Sequence, residues 1–113
     1  MGENRKNIVL VATLDTKSDE AAYLKELIVK RGHRACVIDA GILGKPAFTP
    51  EISNAEVAQA AGSSIREIQN LKTEGEAIAR MVRGVSAILN NLYLEKKMDG
   101  IIAFGGTMGT SLG

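Results

Sequence analysis

The chain of 113 residues is long enough for one domain with a modest hydrophobic core. Its formal net charge of +1 does not indicate a nucleic-acid or membrane partner, and 4% aromatic residues without tryptophan argue against a base-stacking surface. A single cysteine excludes an intrachain disulfide, and no apolar run approaches the length of a membrane span. We therefore expect a soluble, cytoplasmic protein.

The first third of the sequence predicts a strand, a helix and a second strand. Residues 7–13 (N-I-V-L-V-A-T) are a continuous apolar run, which is typical of a strand covered on both faces. Apolar residues then repeat at helical spacing up to a stop signal at Gly32, and residues 34–39 (R-A-C-V-I-D) predict the second strand. Three residue types suited to a helix N-cap precede this helix, at Asp15, Thr16 and Ser18.

The rest of the sequence predicts three helices and a third strand. Glycine and proline residues between positions 40 and 50 predict a loop. Two capping boxes, at 53–56 and 64–67, predict two short helices, and the apolar stripe over residues 73–97 predicts a long one. Residues 101–104 predict the third strand, which is followed by a glycine-rich turn.

This alternation predicts an α/β fold, a three-layer Rossmann-like parallel sheet in the order second, first, third strand. Three strands make a thin sheet, and the third strand is not followed by a helix. We therefore interpret residues 1–113 as the N-terminal portion of one incomplete domain, with one sheet edge and one apolar face exposed.

Ligands of open parallel sheets bind beyond the carboxyl ends of the strands, where the strand order reverses. The predicted order places this switch point between the first and third strands, where residues 13–17 and 105–111 meet. Helix N-termini, glycines and a lysine in these two segments favour an anion site over a purely structural turn. Taken alone, Lys17 is better interpreted as a solvated lysine, and Asp15 as a helix cap rather than a metal or ribose ligand.

Three further residues have either two alternative interpretations or a purely structural one. Asp39, at the end of the second strand, either accepts a ribose hydroxyl or caps its own loop. His33 is interpreted as a solvated turn residue, and Cys36 as a small apolar residue within a strand. The sequence shows no nucleophile accompanied by a base and an orienting group. It therefore does not decide whether the protein is an enzyme.

Four segments resemble the N-terminal region of an uncharacterised two-domain family that includes a tomato protein inhibiting tomato mosaic virus replication. The segments are V-A-T-L-D-T-K, V-I-D-A-G, P-E-I-S with A-E-V-A-Q-A-A-G, and D-G-I-I-A-F-G-G-T-M-G-T-S-L. The resemblance implies a Rossmann-like ATP-binding domain followed by a barrel-like domain, in a protein about four times as long that forms dimers. It implies nucleotide contacts from Thr13, Asp15, Thr16, Lys17, Asp39, Gly41, Gly105, Gly106, Thr107, Gly109 and Thr110. In the hypothesis built on these contacts, Thr16 or Thr110 helps to place Mg²⁺.

The resulting functional hypothesis is an ATP-binding module, with two alternatives. One is a protein-interaction scaffold in which the glycine turn is only structural, with a protein partner that the sequence does not identify. The other is part of an enzyme whose catalytic residues lie in a C-terminal region.

Overall fold

A computed structural model of the chain describes residues 5–42 and 48–104. The elements along the chain are β1 (Asn7–Ala12), α1 (Leu14–Lys30), β2 (Arg34–Asp39), α2 (Asn54–Ala60), α3 (Ile65–Gln69), α4 (Glu74–Leu94) and β3 (Gly100–Phe104). The three strands form one parallel sheet in the order β2-β1-β3. The predicted α/β class and strand order are therefore confirmed.

Two apolar clusters cover the two faces of the sheet, because neighbouring residues of the central strand point in opposite directions. Leu10 and Ala12 of β1 belong to the cluster that contains Leu14 and Ala21 of helix α1. Val9 and Val11 pack in the opposite cluster, with buried residues of α2, α3 and α4 that include Val57, Ile68, Met81 and Val85. The sheet is thus the middle of three layers.

The helix termini follow local signals in most places. Ser53 and Ser64 each form the complete capping box that the sequence predicts, with Glu56 and Glu67 as partners. Gly32 has a φ of +85° and ends α1, since the N–H of His33 donates to the carbonyl of Ile28 at 3.1 Å. These bonds satisfy backbone groups that a helix end leaves without partners.

The last helix is shorter than the predicted stretch of residues 73–97. Helix α4 ends at Leu94 because Lys96 adopts a left-handed conformation, with a φ of 60°. The N–H of Lys97 then donates to the carbonyl of Leu92 at 2.8 Å, which closes the helix without a glycine. The sequence offers no stop signal there, and this boundary of the prediction is wrong.

His33 is more than a solvated turn residue. Its side chain is half-buried, and its Nδ1 accepts a hydrogen bond from the backbone N–H of Lys6 at 3.0 Å. The carbonyl of Lys6 in turn accepts from the N–H of Arg34 at 2.8 Å. His33 therefore fixes the amino end of β1 beside that of β2. Its interpretation as a merely solvated turn residue is wrong.

The outer edge of β2 is covered by residues 48–52. Ile52 forms a parallel bridge with Ile38, donating to the carbonyl of Val37 and accepting from the N–H of Asp39, both at 3.0 Å. The carboxylate of Glu51 accepts from the N–H of Val37 at 2.7 Å. These contacts occupy backbone groups that an edge strand otherwise offers to another chain.

The other edge strand, β3, matches the expectation of exposed apolar surface. Ile101 and Ile102 retain 46% and 39% of their accessible area. Within the described residues, β3 pairs only with β1. None of the helices in these parts of the chain is long and apolar enough to cross a membrane.

Candidate functional site

The carboxyl ends of the three strands lie side by side. Ala12, the last residue of β1, pairs with Asp39 at the end of β2 and with Phe104 at the end of β3. The chain leaves β1 into a helix on one face of the sheet, and it reaches β3 through helices on the other face. The point between β1 and β3 is thus the switch point of a doubly wound sheet, where such folds bind ligands.

The connection from β1 to α1 consists of one residue, Thr13. Its backbone is extended, with φ −87° and ψ 93°, and it is the N-cap of α1, although its side chain makes no capping bond to the helix. Helix α1 begins at Leu14, whose side chain is buried against the sheet. The helix consequently starts directly at the carboxyl end of the central strand, with its positive end at the switch point.

The predicted cap positions of this helix are wrong. Asp15, Thr16 and Ser18 lie inside α1 rather than before it. The burial of Leu14 explains the earlier start, because an apolar residue in the first turn gains more from packing than the chain gains from a better cap. The N-cap position is therefore occupied by Thr13 and not by Asp15.

The first turn of α1 is separated from the rest of the helix by a local distortion. Lys17 has a non-helical backbone, with φ −121° and ψ 25°, while its N–H still donates to the carbonyl of Thr13 at 2.8 Å. The hydroxyl of Ser18 donates to the carbonyl of Leu14. A side chain bonded back into the helix in this way is a common cause of a bend.

The ammonium group of Lys17 lies at the surface beside the first turn. Its Nζ is 3.7 Å from Oε2 of Glu20, and the side chain is 41% exposed. An exposed pair at this distance is weak, so the ammonium is available to another anion. The arrangement is that of a solvated lysine, and the phosphate contact stays a prediction.

Asp39 connects the first turn of α1 with the loop after β2. Its Oδ1 accepts hydrogen bonds from the N–H of Leu14 at 3.2 Å and from the N–H of Gly41 at 2.8 Å. The residue is 3% exposed, so both bonds lie in a buried environment. Of the two interpretations of Asp39, the structure shows the loop-capping contact, and this contact also reaches across to α1.

Gly41 is fixed on both sides of its peptide unit. Its N–H donates to Asp39, and its carbonyl accepts from Nδ2 of Asn54 at 3.0 Å. The next residue, Ile42, is held in a similar way, because its carbonyl accepts from Nε2 of Gln69 at 2.7 Å. Gly41 is thus buried, and its N–H and its carbonyl both bond to the protein itself.

The second predicted segment of the site lies outside the described residues. It comprises Gly105, Gly106, Thr107, Gly109 and Thr110. Its starting point is nevertheless known, since the backbone of Phe104 pairs with Ala12. Phe104, the last described residue, thus lies level with Ala12, where β1 ends.

Sequence reasoning missed a polar cluster on the α1 side of the β2 edge. Glu51 accepts from Nζ of Lys25 at 2.7 Å, and this ammonium lies 5.8 Å from the ring centre of Phe48. Burial opposes ionisation of Glu51, but the bonds from Lys25 and from the N–H of Val37 outweigh it, so the pKa of Glu51 is lowered. These partners are distant in sequence, so no local pattern indicated them.

The thiol nearest to this cluster is not activated. Burial raises the pKa of Cys36, and the negative charge of Glu51 raises it further. This agrees with the interpretation of Cys36 as a small strand residue without a chemical role. No group of three or more potential metal ligands is present among residues 5–42 and 48–104.

The strand order and the helices on both faces of the sheet define the class of this chain as an open α/β domain with a switch point between β1 and β3. Residues 6–113 match the sequence model described as the N-terminal domain of an uncharacterised protein family, UPF0261. The chain belongs to this family.

Curated relatives carry the same family name. A protein of Clostridium tetani (strain Massachusetts / E88) is 40% identical over 107 residues, and one of Brucella suis biovar 1 is 38% identical over 109 residues. A more distant relative from Rhizobium meliloti is 30% identical over 107 residues. These matches cover 95% or 96% of this chain but 26% of each relative, so the chain spans about a quarter of their length.

Proposed function

We propose that this chain is the first part of a nucleotide-binding domain that binds ATP, with Mg²⁺, at the carboxyl ends of β1 and β3. The observation that carries the proposal is the strand order β2-β1-β3, which places the switch point directly at the start of helix α1. Parallel sheets of this order bind nucleotides or flavins at that point. ATP itself rests on the resemblance to the family of the tomato virus-replication inhibitor.

The phosphates are the part of ATP that the described residues suit best. A helix start leaves backbone N–H groups in its first turn without partners inside the helix, and it carries a partial positive charge. The start of helix α1 lies at the carboxyl end of β1, and Lys17 adds an exposed ammonium on the same turn. The glycine turn that begins after Phe104 would supply the opposite side of the phosphate site.

The proposal extends to the whole protein. The remaining three-quarters of the length of the relatives would complete the sheet beyond β3, and we infer a cytoplasmic, dimeric protein. An enzyme would need catalytic residues from that further part of the protein. In an interaction scaffold, the glycine turn would instead have only a structural role and bind no nucleotide.

Calorimetric titration of Mg-ATP, Mg-ADP and Mg-GTP into the longest native form of the protein tests this proposal. We expect saturable binding of ATP that Lys17→Ala weakens by about tenfold, the effect of losing one charge-assisted contact. Lys30→Ala is the matched control, because Lys30 is also a helix lysine paired with a glutamate, Glu26, at 3.6 Å, but at the opposite end of α1. The absence of saturable heat from a folded protein would contradict the proposal.

A further inference from the structure

The carboxylate of Asp39 occupies a position at which nucleotide-binding folds often bind the ribose. In this chain, one of its oxygens accepts two hydrogen bonds from buried backbone groups, the N–H of Leu14 and the N–H of Gly41. We propose that Asp39 is a positioning residue, which holds the first turn of α1 in the geometry that binds phosphate, and that it is not the ribose ligand. This inference rests on the proposed function.

The contacts of Asp39 join the two segments that directly follow the paired ends of β1 and β2. Leu14 begins α1, whereas Gly41 lies in the loop after β2, 27 positions later. A backbone hydrogen bond at the same level joins the N–H of Ala40 to the carbonyl of Ala12 at 2.8 Å. Asp39 therefore adds a buried side-chain link between the start of α1 and the loop after β2.

A ribose contact conflicts with this arrangement. Asp39 is 3% exposed, so a sugar hydroxyl would reach its carboxylate only after the side chain had turned outward. Turning outward would leave the buried N–H groups of Leu14 and Gly41 without an acceptor, which is costlier than the exchange of one exposed hydrogen bond. The geometry instead favours a carboxylate that stays in place when a nucleotide binds.

The location of the bond to Leu14 links Asp39 to the phosphate site. Leu14 is the first residue of α1, and the next N–H groups of the same turn are those that the proposed site offers to phosphate. Releasing Leu14 would free this turn, which the distortion at Lys17 already separates from the remainder of the helix. The loss of Asp39 should therefore weaken binding of the phosphates, whatever sugar is attached to them.

The test compares three ligands, Mg-ATP, Mg-2′-deoxy-ATP and inorganic tripolyphosphate with Mg²⁺, by calorimetry on the longest native form of the protein. Asp39→Ala should weaken all three by about tenfold or more, since it leaves two buried amides unpaired. Asp39→Asn retains an oxygen that can accept from both amides, so it should weaken them by at most about threefold. Amide hydrogen exchange of Leu14 and Gly41 should accelerate in Asp39→Ala, while exchange within α4 stays unchanged.

Any of three results would overturn the inference. If Asp39→Ala weakens ATP but leaves tripolyphosphate unaffected, or removes a preference of the wild type for ATP over 2′-deoxy-ATP, then Asp39 is a ribose ligand. If exchange of the Leu14 and Gly41 amides does not change in Asp39→Ala, Asp39 does not position the loops. The exchange measurement needs no ligand, so it remains decisive even if the wild type binds none of the three and the proposed function itself fails.

Discussion

Gly84 of α4 packs directly against the backbone of Val57 in α2. A Cβ added at Gly84 would lie 2.9 Å from Cγ1 of Val57 and 3.0 Å from its carbonyl carbon, and it would overlap the carbonyl oxygen. Backbone does not give way as the end of a flexible side chain does. Helices α2 and α4 can therefore approach each other this closely because residue 84 has no side chain.

Gly84→Ala should lower the free energy of unfolding by about 3 kcal/mol, because α2 and α4 must move apart in the core. The control is Gly75→Ala in the same helix, where the nearest atom to an added Cβ is 3.9 Å away. We expect that variant to be neutral or more stable by up to about 1 kcal/mol, the difference in helix propensity. Urea denaturation of both variants measures this, and equal effects of the two substitutions would contradict the packing argument.

Replacing Lys96 by glycine should stabilise the protein. Lys96 has a φ of 60°, a conformation that costs energy for a residue with a Cβ and none for glycine. We expect Lys96→Gly to raise the free energy of unfolding by about 0.5–1 kcal/mol, after allowance for the greater flexibility of glycine in the unfolded chain. Lys97→Gly, at a residue without positive φ, is the control and should give no gain in thermal denaturation.

The bond network of Glu51 should make stability dependent on acid pH. Because its pKa is lowered in the folded protein, Glu51 contributes stability above the pKa of the unfolded chain, about 4.3, and this contribution is lost as the pH falls through the lower, folded value. Glu51→Gln should thus be destabilised at neutral pH and equal to the wild type in strong acid. The difference should be about 1 kcal/mol or less, since the Glu51 side chain is 39% exposed.

Denaturant titrations between neutral and strongly acidic pH measure this difference. The exposed pair of Glu26 and Lys30 provides the control, with 3.6 Å between the charged atoms and no bond to an edge strand. At neutral pH, Glu26→Gln should differ less from the wild type than Glu51→Gln does. A pH-independent difference between the wild type and Glu51→Gln would contradict the assigned role of the carboxylate.

Features fixed by a few neighbouring residues were predictable from the sequence. The capping boxes at Ser53 and Ser64 and the stop at Gly32 are of this kind, because each depends on bonds within one helical turn. The strand order also follows from general rules, since right-handed crossovers and alternating elements leave few arrangements of three strands. The location of the switch point was predictable for the same reason.

Features that depend on tertiary contacts were not predictable. Helix α1 begins at Leu14, earlier than the cap residues indicated, because the Leu14 side chain is buried against the sheet. No local sequence signal reveals this burial. The glycine at position 84 is likewise explained by a tertiary contact, since the backbone of Val57 leaves no room for a side chain there. The role of Asp39 likewise depends on the pairing of β1 with β2, which brings Leu14 within reach of a residue 25 positions away.

The most direct test of the account is to map where ATP binds, by amide hydrogen exchange of the longest native form of the protein with and without saturating Mg-ATP. We predict slower exchange in residues 13–17 and 105–110, at the carboxyl ends of β1 and β3. The amino ends of the strands, near Lys6, Arg34 and Asp99, should exchange as before. Protection confined to those amino ends, or no protection anywhere, would contradict a nucleotide site at the switch point.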